Sequence, residues 1–80
     1  MRVKIEISLK NGILDPQAKT IFHALESLGF DCINDLKTKK IIELDLNINN
    51  KEEALNVAKE MSEMLLANPV IENYTIELLS

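Results

Sequence analysis

Strict alternation of apolar and polar residues over residues 2–10 is the feature that most limits how this chain can fold. Val3, Ile5, Ile7 and Leu9 occupy the odd positions, and charged or hydroxyl side chains occupy the even ones. Side chains of a β-strand point alternately to its two faces, so the pattern predicts a strand with one buried and one solvated face. Any fold for this chain must therefore cover one face of this strand.

Two later segments carry the signals of amphipathic helices. Asp15-Pro16 predicts a helix start, because Asp is a favoured N-cap and Pro fits the first helical position, and Gly29 is placed to end that helix. Asn50 and Glu53 predict a capping box for a second helix, which Asn68-Pro69 would stop. Apolar residues recur at helical spacing in both segments, at Ala18, Ile21, Phe22, Leu25 and Leu28 in the first and at Ala54, Val57, Ala58, Met61, Met64 and Leu65 in the second.

The remaining segments predict strands. Residues 30–48 indicate a hairpin whose second arm alternates clearly, whereas the first arm, around Cys32, Ile33 and Leu36, alternates poorly and leaves a bulge or a short strand open. Residues 70–79 predict a last strand that includes Tyr74. The expected fold is a single α+β domain over residues 1–80, with ferredoxin-like β-α-β-β-α-β order. It has a four-stranded antiparallel sheet with both helices on one face.

Composition narrows the classes of function. The chain has 80 residues, with one cysteine (Cys32) and one histidine (His23), which excludes an internal disulfide and a closed zinc site. A core this thin often depends on association for stability. The formal net charge of −4 argues against a nucleic-acid partner. No apolar run approaches the ~20 residues that cross a bilayer. We therefore expect a cytoplasmic protein that binds no metal, nucleic acid or membrane.

Residue chemistry predicts neither a catalytic residue nor a cofactor. His23 lies on the polar face of the first helix without an evident Asp, Ser or Cys partner, and we interpret it as a surface histidine. We interpret Cys32 as a small buried hydrophobe, and Met61 and Met64 as core residues. Several apolar residues lie outside the stripes of the helices and the buried faces of the strands, namely Ile13, Leu14, Ile41, Leu55, Leu66 and Leu79. They are explained equally well as scattered surface residues or as contact area for partner chains.

Two segments of the sequence stand out as motifs. The first, Leu9–Gln17, joins the first strand to the first helix, and the second comprises Glu60-Met61 and Leu65–Tyr74, between the second helix and the last strand. These segments resemble the signatures of PurS, the small subunit of bacterial and archaeal phosphoribosylformylglycinamidine synthase. The chain departs from the family pattern at Lys39-Lys40, where Gly-Lys is common, and at Ser62, where Cys is common. Length and element order agree, so the resemblance covers essentially the whole chain.

The resemblance implies a non-catalytic adaptor in de novo purine biosynthesis. In that family a synthetase (PurL-type) subunit carries the ATP chemistry, and a glutaminase (PurQ-type) subunit releases ammonia. Together they convert formylglycinamide ribonucleotide to formylglycinamidine ribonucleotide. The small subunit is required, has no active site of its own, and is a homodimer or a dimer of dimers. As a hypothesis, the residues that contact these partners are Leu14, Asp15, Pro16, Gln17, Asn68, Pro69 and Tyr74.

A second function remains open at this point. The same element order serves small-molecule regulatory domains of the amino-acid-sensing (ACT) type, which bind ligands at dimer interfaces, and the order alone does not exclude them. An acylphosphatase needs an arginine in the first strand–helix loop, but the only arginine is Arg2. RNA-recognition domains stack bases on strand aromatics, and of the three aromatic residues only Tyr74 lies well inside a predicted strand.

Overall fold

The computed structural model describes residues 1–79, which form three strands and two α-helices. Along the chain these are β1 (Arg2–Leu9), α1 (Pro16–Ser27), β2 (Lys39–Asp45), α2 (Lys51–Met61) and β3 (Glu72–Leu78). Strand β1 lies in the middle of the sheet and pairs antiparallel with both β2 and β3. The predicted α+β class and the antiparallel sheet are therefore confirmed.

The predicted four-stranded ferredoxin-like sheet is not present in the described chain. Residues 30–36 form no strand, and the order is β-α-β-α-β. The physical reason is the poor alternation around Cys32, Ile33 and Leu36. A segment without a regular apolar face buries little by adding to a sheet, so its register is weakly specified. Strand β2 is consequently an edge of this sheet.

The core lies between one face of the sheet and α2. Val3, Ile5 and Ile7 of the central strand are at most 2% exposed, and Ala58 of α2 and Ala67 complete the buried cluster. The alternating residues of the outer strands pack around this cluster and are half-buried, namely Ile42 and Leu44 of β2 and Tyr74, Ile76 and Leu78 of β3. The alternation read from all three strands is thus confirmed.

A π-helical turn over Ser62–Leu66 changes which side of the second helix is buried. Its backbone bond runs from the amide of Ala67 to the carbonyl of Ser62 (2.8 Å), one residue longer than an α-helical bond, so the following side chains rotate about the axis. Ser62 is fully buried, whereas Met64 and Leu65 are 78% and 83% exposed.

Two predictions for this helix are corrected by the π turn. Met61, Met64 and Leu65 were expected in the core, but all three are exposed. Leu66 was expected outside the apolar stripe, but it packs against the core cluster. The buried Ser62 hydroxyl donates a hydrogen bond to the carbonyl oxygen of Ala58 (2.8 Å), which satisfies its polar atom.

Helix α1 and the segment that follows it, residues 28–38, form an arm outside this layered core. We call residues 16–38 the α1 arm. Among residues 1–79, none of the core cluster comes from the arm, so the expectation that both helices cover one face of the sheet is wrong for the single chain. The radius of gyration is 16.2 Å, whereas a compact chain of this length would have about 12 Å. The protein is therefore elongated.

Candidate partner-docking surface

Asp15 fastens both ends of the α1 arm. One carboxylate oxygen, Oδ1, accepts the N-cap hydrogen bond from the amide of Ala18 (3.0 Å). The other, Oδ2, accepts hydrogen bonds from the hydroxyl of Thr38 (2.8 Å) and from its amide (3.4 Å). These donors favour the ionised carboxylate, and the Ala18 amide, followed by the Thr38 hydroxyl, lowers the pKa of Asp15 below its ordinary value. Both oxygens are therefore engaged within the chain.

Lys10 joins the two segments that carry the family signatures. Its amide donates to the carbonyl of Ile71 (2.9 Å), and its Nζ donates to the carbonyl of Pro69 (2.8 Å). The loop after β1 and the corner before β3 consequently lie side by side at one end of the sheet, although 59 positions separate Lys10 from Pro69.

The corner at Asn68-Pro69 is held by its own hydrogen bonds. Asn68 accepts through Oδ1 from the amide of Val70 (3.0 Å) and through its carbonyl from the amide of Glu72 (2.7 Å). In return, the Glu72 carboxylate accepts from the amide of Asn68 (2.6 Å). Such side-chain bonds to nearby backbone are typical of Asn in turns. The corner therefore presents Pro69 and Val70 to solvent in a defined shape.

Tyr74 lies in a groove beside this corner. Its hydroxyl donates a hydrogen bond to Glu63 Oε1 (2.9 Å). Partial burial of the phenol, together with this bond, raises the pKa of Tyr74 above its ordinary value. The groove has a volume of about 480 Å³, and its walls include Lys10, Pro69 and Glu72. Tyr74 thus contributes a polar tip and a largely covered ring to the groove.

The residues proposed from sequence for docking fall into two groups at this end of the sheet. A second groove, of about 770 Å³, is lined by Asp15, Pro16 and Gln17 and also by Glu72, which lines the first groove as well. Pro69 and Tyr74 line the first groove. We define the junction surface as Asp15, Pro16, Gln17, Pro69 and Tyr74 together with their neighbours along the chain, Leu14, Asn68 and Val70.

Two exposed apolar side chains stand out on the junction surface. Leu14 is 71% exposed and Val70 is 77% exposed. Val70 was not among the residues selected from sequence, because it was assigned to the last strand. Its position directly after Pro69 is the feature of the sequence that could have indicated its exposure. The strand begins only at Glu72, so Val70 lies in the turn before it.

Comparison with known proteins identifies the family. Residues 2–80 match the family model described as PurS, phosphoribosylformylglycinamidine (FGAM) synthase. The chain belongs to the PurS family. The PurS subunit of FGAM synthase from Archaeoglobus fulgidus is 40% identical over 76 residues, which cover 95% of each chain.

Solved PurS structures share this fold. PurS from Methanocaldococcus jannaschii superposes with a TM-score of 0.85 at 38% identity, covering 95% of this chain and 92% of that one. A chain of the PurLQS structure from Thermotoga maritima gives 0.86 at 31% identity, covering 98% of this chain and 95% of that one. The resemblance read from the two signatures is confirmed, and the ACT alternative is not supported.

The residues screened for chemistry in this PurS-family chain lie apart from the junction surface. His23 is exposed on α1, with Nδ1 3.4 Å from Glu26 Oε1, as expected for a surface histidine. Cys32 is exposed, so its interpretation as a buried hydrophobe is wrong, because residues 30–36 do not join the sheet. Among residues 1–79, no three potential metal ligands cluster, and no helix has the length and apolarity to span a bilayer.

Proposed function

We propose that this chain is the non-catalytic, single-domain adaptor subunit of phosphoribosylformylglycinamidine synthase in de novo purine biosynthesis. It joins the synthetase and glutaminase subunits, so that ammonia from glutamine converts formylglycinamide ribonucleotide to formylglycinamidine ribonucleotide. The observation that carries the proposal is the family match over residues 2–80, together with the shared fold in PurLQS. We place the protein in the cytoplasm, where this pathway would draw on ATP and glutamine.

An adaptor has a physical role in this reaction. Free ammonia would be protonated or lost to solvent before it reached a second active site. The glutaminase and synthetase sites must therefore stay coupled while ammonia passes between them. A small subunit with defined surfaces can hold two larger subunits in register without contributing a reacting group, because preorganised contacts lower the entropic cost of association.

We propose the junction surface as the contact with these partners. Leu14 and Val70 supply exposed apolar area. The other members of the surface are Asp15, Pro16, Gln17, Asn68, Pro69 and Tyr74. Asp15 acts here by shaping the surface, because its carboxylate oxygens already bind Ala18 and Thr38. Apolar anchors on a rigid corner suit a docking site, since little freedom is lost when they are covered.

We also propose that the working protein is a homodimer or a dimer of dimers, and that the four-stranded, ferredoxin-like sheet forms in that assembly. The α1 arm supports this, because the single chain leaves its helix outside the core. Sheets with an open edge and an uncovered apolar face are commonly completed by a second chain.

Reconstitution tests the adaptor role. The chain is mixed with synthetase and glutaminase subunits, and glutamine-dependent product formation is compared with ammonia-dependent formation. We expect glutamine-dependent turnover to require the chain. Val70→Asp should reduce co-elution with the partner subunits, whereas Ile41→Asp, an apolar-to-acid change at a 55% exposed residue on the far side of the sheet, should not. Turnover that is indifferent to the chain would refute the proposal.

A further inference from the structure

Strand β3 forms an open edge of the sheet. One side of it pairs with β1, and the other side has no neighbouring strand in the order β2-β1-β3. At the two ends of the pairing, the amide of Lys10 donates to the carbonyl of Ile71 (2.9 Å), and the amide of Leu79 donates to that of Arg2 (2.8 Å). Hydrogen-bonded pairs alternate with non-bonded pairs along an antiparallel ladder. These two bonds therefore fix which residues of β3 turn their backbone towards β1.

Alternate residues of β3 turn their amides and carbonyls to the open side. The residues in step with Ile71 and Leu79 bond to β1, and the residues between them point outwards. Glu72 points outwards, but its amide donates to the carbonyl of Asn68 (2.7 Å). The other outward residues of the strand are Tyr74, Ile76 and Leu78. Within residues 1–79, no backbone group outside the strand bonds to the amides or carbonyls of these three.

Strand β3 lacks the features that usually protect an edge. Natural edges are blunted by lysine, proline, a bulge or a short strand. β3 has seven residues without lysine or proline, and its register with β1 is continuous from Glu72 to Leu78. Its glutamates bind within the chain, since Glu77 pairs with Lys4 (3.1 Å) and Glu72 accepts from the amide of Asn68. The edge is therefore suited to pairing with a strand of another protein.

We infer that an extended segment of a partner subunit adds to β3 as a further strand, bonded to the outward amides and carbonyls of Tyr74, Ile76 and Leu78. Main-chain hydrogen bonds supply affinity in this mode of recognition, and side-chain contacts select the segment. Because β3 is already fixed by its pairing with β1, it loses little freedom on binding. The inference deepens the proposed function and rests on it, because the segment belongs to the synthetase or the glutaminase subunit.

The junction surface leads directly into this edge. Val70, which is 77% exposed, lies just before β3, and Tyr74 belongs both to the junction surface and to the outward residues of the strand. The groove beside the corner is lined by Pro69, Glu72, Asn73 and Tyr74, so it reaches the first residues of β3. A partner chain seated on the junction surface therefore meets the edge of β3 next.

Charge and alternation specify the kind of segment. Adjacent strands place the side chains of one face side by side. Tyr74, Ile76 and Leu78 pack against the core and are half-buried, so the added strand presents apolar residues on that face. On the outer face β3 carries the 62% exposed Glu77 and no lysine or arginine, and the chain has a net charge of −4. The matching segment therefore alternates apolar residues with lysine or arginine.

Hydrogen exchange tests the added strand directly. In the free protein, the outward amides of Tyr74, Ile76 and Leu78 should exchange faster than the amide of Thr75, which bonds to β1. In the complex with the partner subunits, we expect exchange at the outward amides to slow by at least about tenfold, and exchange at Thr75 to change less. Unchanged exchange at the outward amides of an assembled complex would overturn the inference. Protection of these amides in the free protein would also overturn it, because a second copy would then occupy β3.

Replacing one backbone amide by an ester separates strand pairing from other contacts. The 80-residue chain can be assembled by chemical synthesis, and an ester removes one N–H while keeping the side chain. An ester at Ile76 removes an outward donor, so affinity for the partner subunits should fall by about three- to tenfold. A matched ester at Thr75 removes a donor to β1. It should lower thermal stability and change affinity by less than about twofold. Equal affinities of the wild type and the Ile76 ester would contradict strand addition.

Thr75→Lys and Thr75→Glu test the charge of the segment. Thr75 is exposed on the outer face, so both variants should fold. We expect the lysine variant to bind the partner subunits at least about threefold more weakly than the glutamate variant, with a larger difference at low salt. Ile41→Lys and Ile41→Glu are matched controls on the opposite edge, because Ile41 and Thr75 both pair with Glu6, and they should bind alike. Equal binding by the Thr75 variants, or the reverse order, would overturn the assignment of a basic segment.

Failure of this inference is distinguishable from failure of the proposed function. Glutamine-dependent turnover that requires the chain, with unprotected outward amides in the complex, would overturn strand addition and leave the adaptor role intact. Protected outward amides in a complex whose turnover is indifferent to the chain would refute the adaptor role and leave strand addition intact. A chain that binds neither subunit would overturn both.

Discussion

Lys10 Nζ lies 2.8 Å from the carbonyl oxygen of Pro69, and this hydrogen bond ties the loop after β1 to the corner before β3. The backbone of Lys10 makes a second bond to Ile71, so a single residue bridges both segments twice. The bond of the side chain is exposed to solvent, and its net contribution to stability is correspondingly modest. Its larger effect is on geometry, because it holds the corner at Pro69 against the loop that follows β1.

Replacing Lys10 by methionine should loosen this corner without unfolding the protein. The side-chain bond to Pro69 is lost, while the backbone bond to Ile71 remains. We expect a stability loss of at most about 1 kcal/mol in urea denaturation. Hydrogen exchange of the Val70 and Ile71 amides should be faster. Lys51→Met, a matched change at an exposed residue of α2, is the control and should alter neither measurement.

Asp15 should contribute stability that depends on pH. Its pKa is lowered in the folded chain by the Ala18 amide first and then by the Thr38 hydroxyl. A carboxyl group with a lowered pKa stabilises the fold above its unfolded pKa of ~3.9, and this contribution is lost as pH falls through the lower, folded pKa. The urea midpoint of the wild type should therefore exceed that of Asp15→Asn above about pH 5, where both carboxyl pKa values have been passed.

The wild type and Asp15→Asn also show what would contradict this prediction. The difference in midpoint should shrink steadily below about pH 4, because the unfolded carboxyl is then protonated. A difference that is constant from neutral to acid pH would show that the charge of Asp15 is irrelevant. Thr38→Val separates the two bonds, since it removes the hydroxyl at Oδ2 and leaves the cap at Ala18 intact.

Ser62→Leu should be among the most damaging changes in the second helix. Ser62 is fully buried where the π turn meets the core, so a larger side chain has no space. Overpacking of this kind costs about 1–3 kcal/mol. Lys59→Leu, one turn earlier and exposed, should change the free energy of unfolding by less than about 0.5 kcal/mol. Equal effects of the two changes would contradict the rotation that the π turn produces.

Ile5→Ala should nearly exhaust the stability of the protein. Ile5 is fully buried in the central strand, and few large side chains share the core with it. Truncating a buried isoleucine costs about 2–5 kcal/mol, which is a large fraction of the stability of a small domain. Ile41→Ala on the exposed face of β2 should cost less than about 0.5 kcal/mol. Thermal and urea denaturation at one fixed protein concentration compare the three proteins.

Much of the fold could be predicted because its signals are local. The alternation at Val3, Ile5 and Ile7 depends only on the pleat of one strand. Asp15 and Asn50 cap their helices through oxygens that accept from residues three positions ahead, Ala18 and Glu53, so the helix starts are visible in short motifs. The Gly29 helix end is equally local.

The predictions were wrong where the structure depends on contacts between distant segments or on the wider turn of the π-helix. A period of 3.6 assigns Met61, Met64 and Leu65 to the core, and nothing in that period announces the π turn that places Ser62 there instead. The stripe of α1 was read correctly as apolar, but the pattern does not say which chain covers it. Leu14 and Pro69 could be proposed as docking residues because they lie in the family signatures. Val70 could be proposed only after the structure showed that its side chain is exposed at the corner.

The double use of the Asp15 carboxylate has a consequence for how such chains can vary in length. One carboxylate oxygen of Asp15 caps the start of α1, and the other binds Thr38. The chain between Asp15 and Thr38 must therefore leave and return to the same place. A single-residue deletion inside α1 would rotate the apolar side chains that follow it by about 100° around the helix axis. It would also shorten the segment after the helix, so that Thr38 no longer reaches the Asp15 carboxylate. Insertions and deletions should therefore be tolerated best after Phe30, beyond the helix end at Gly29, and be rejected between Pro16 and Ser27.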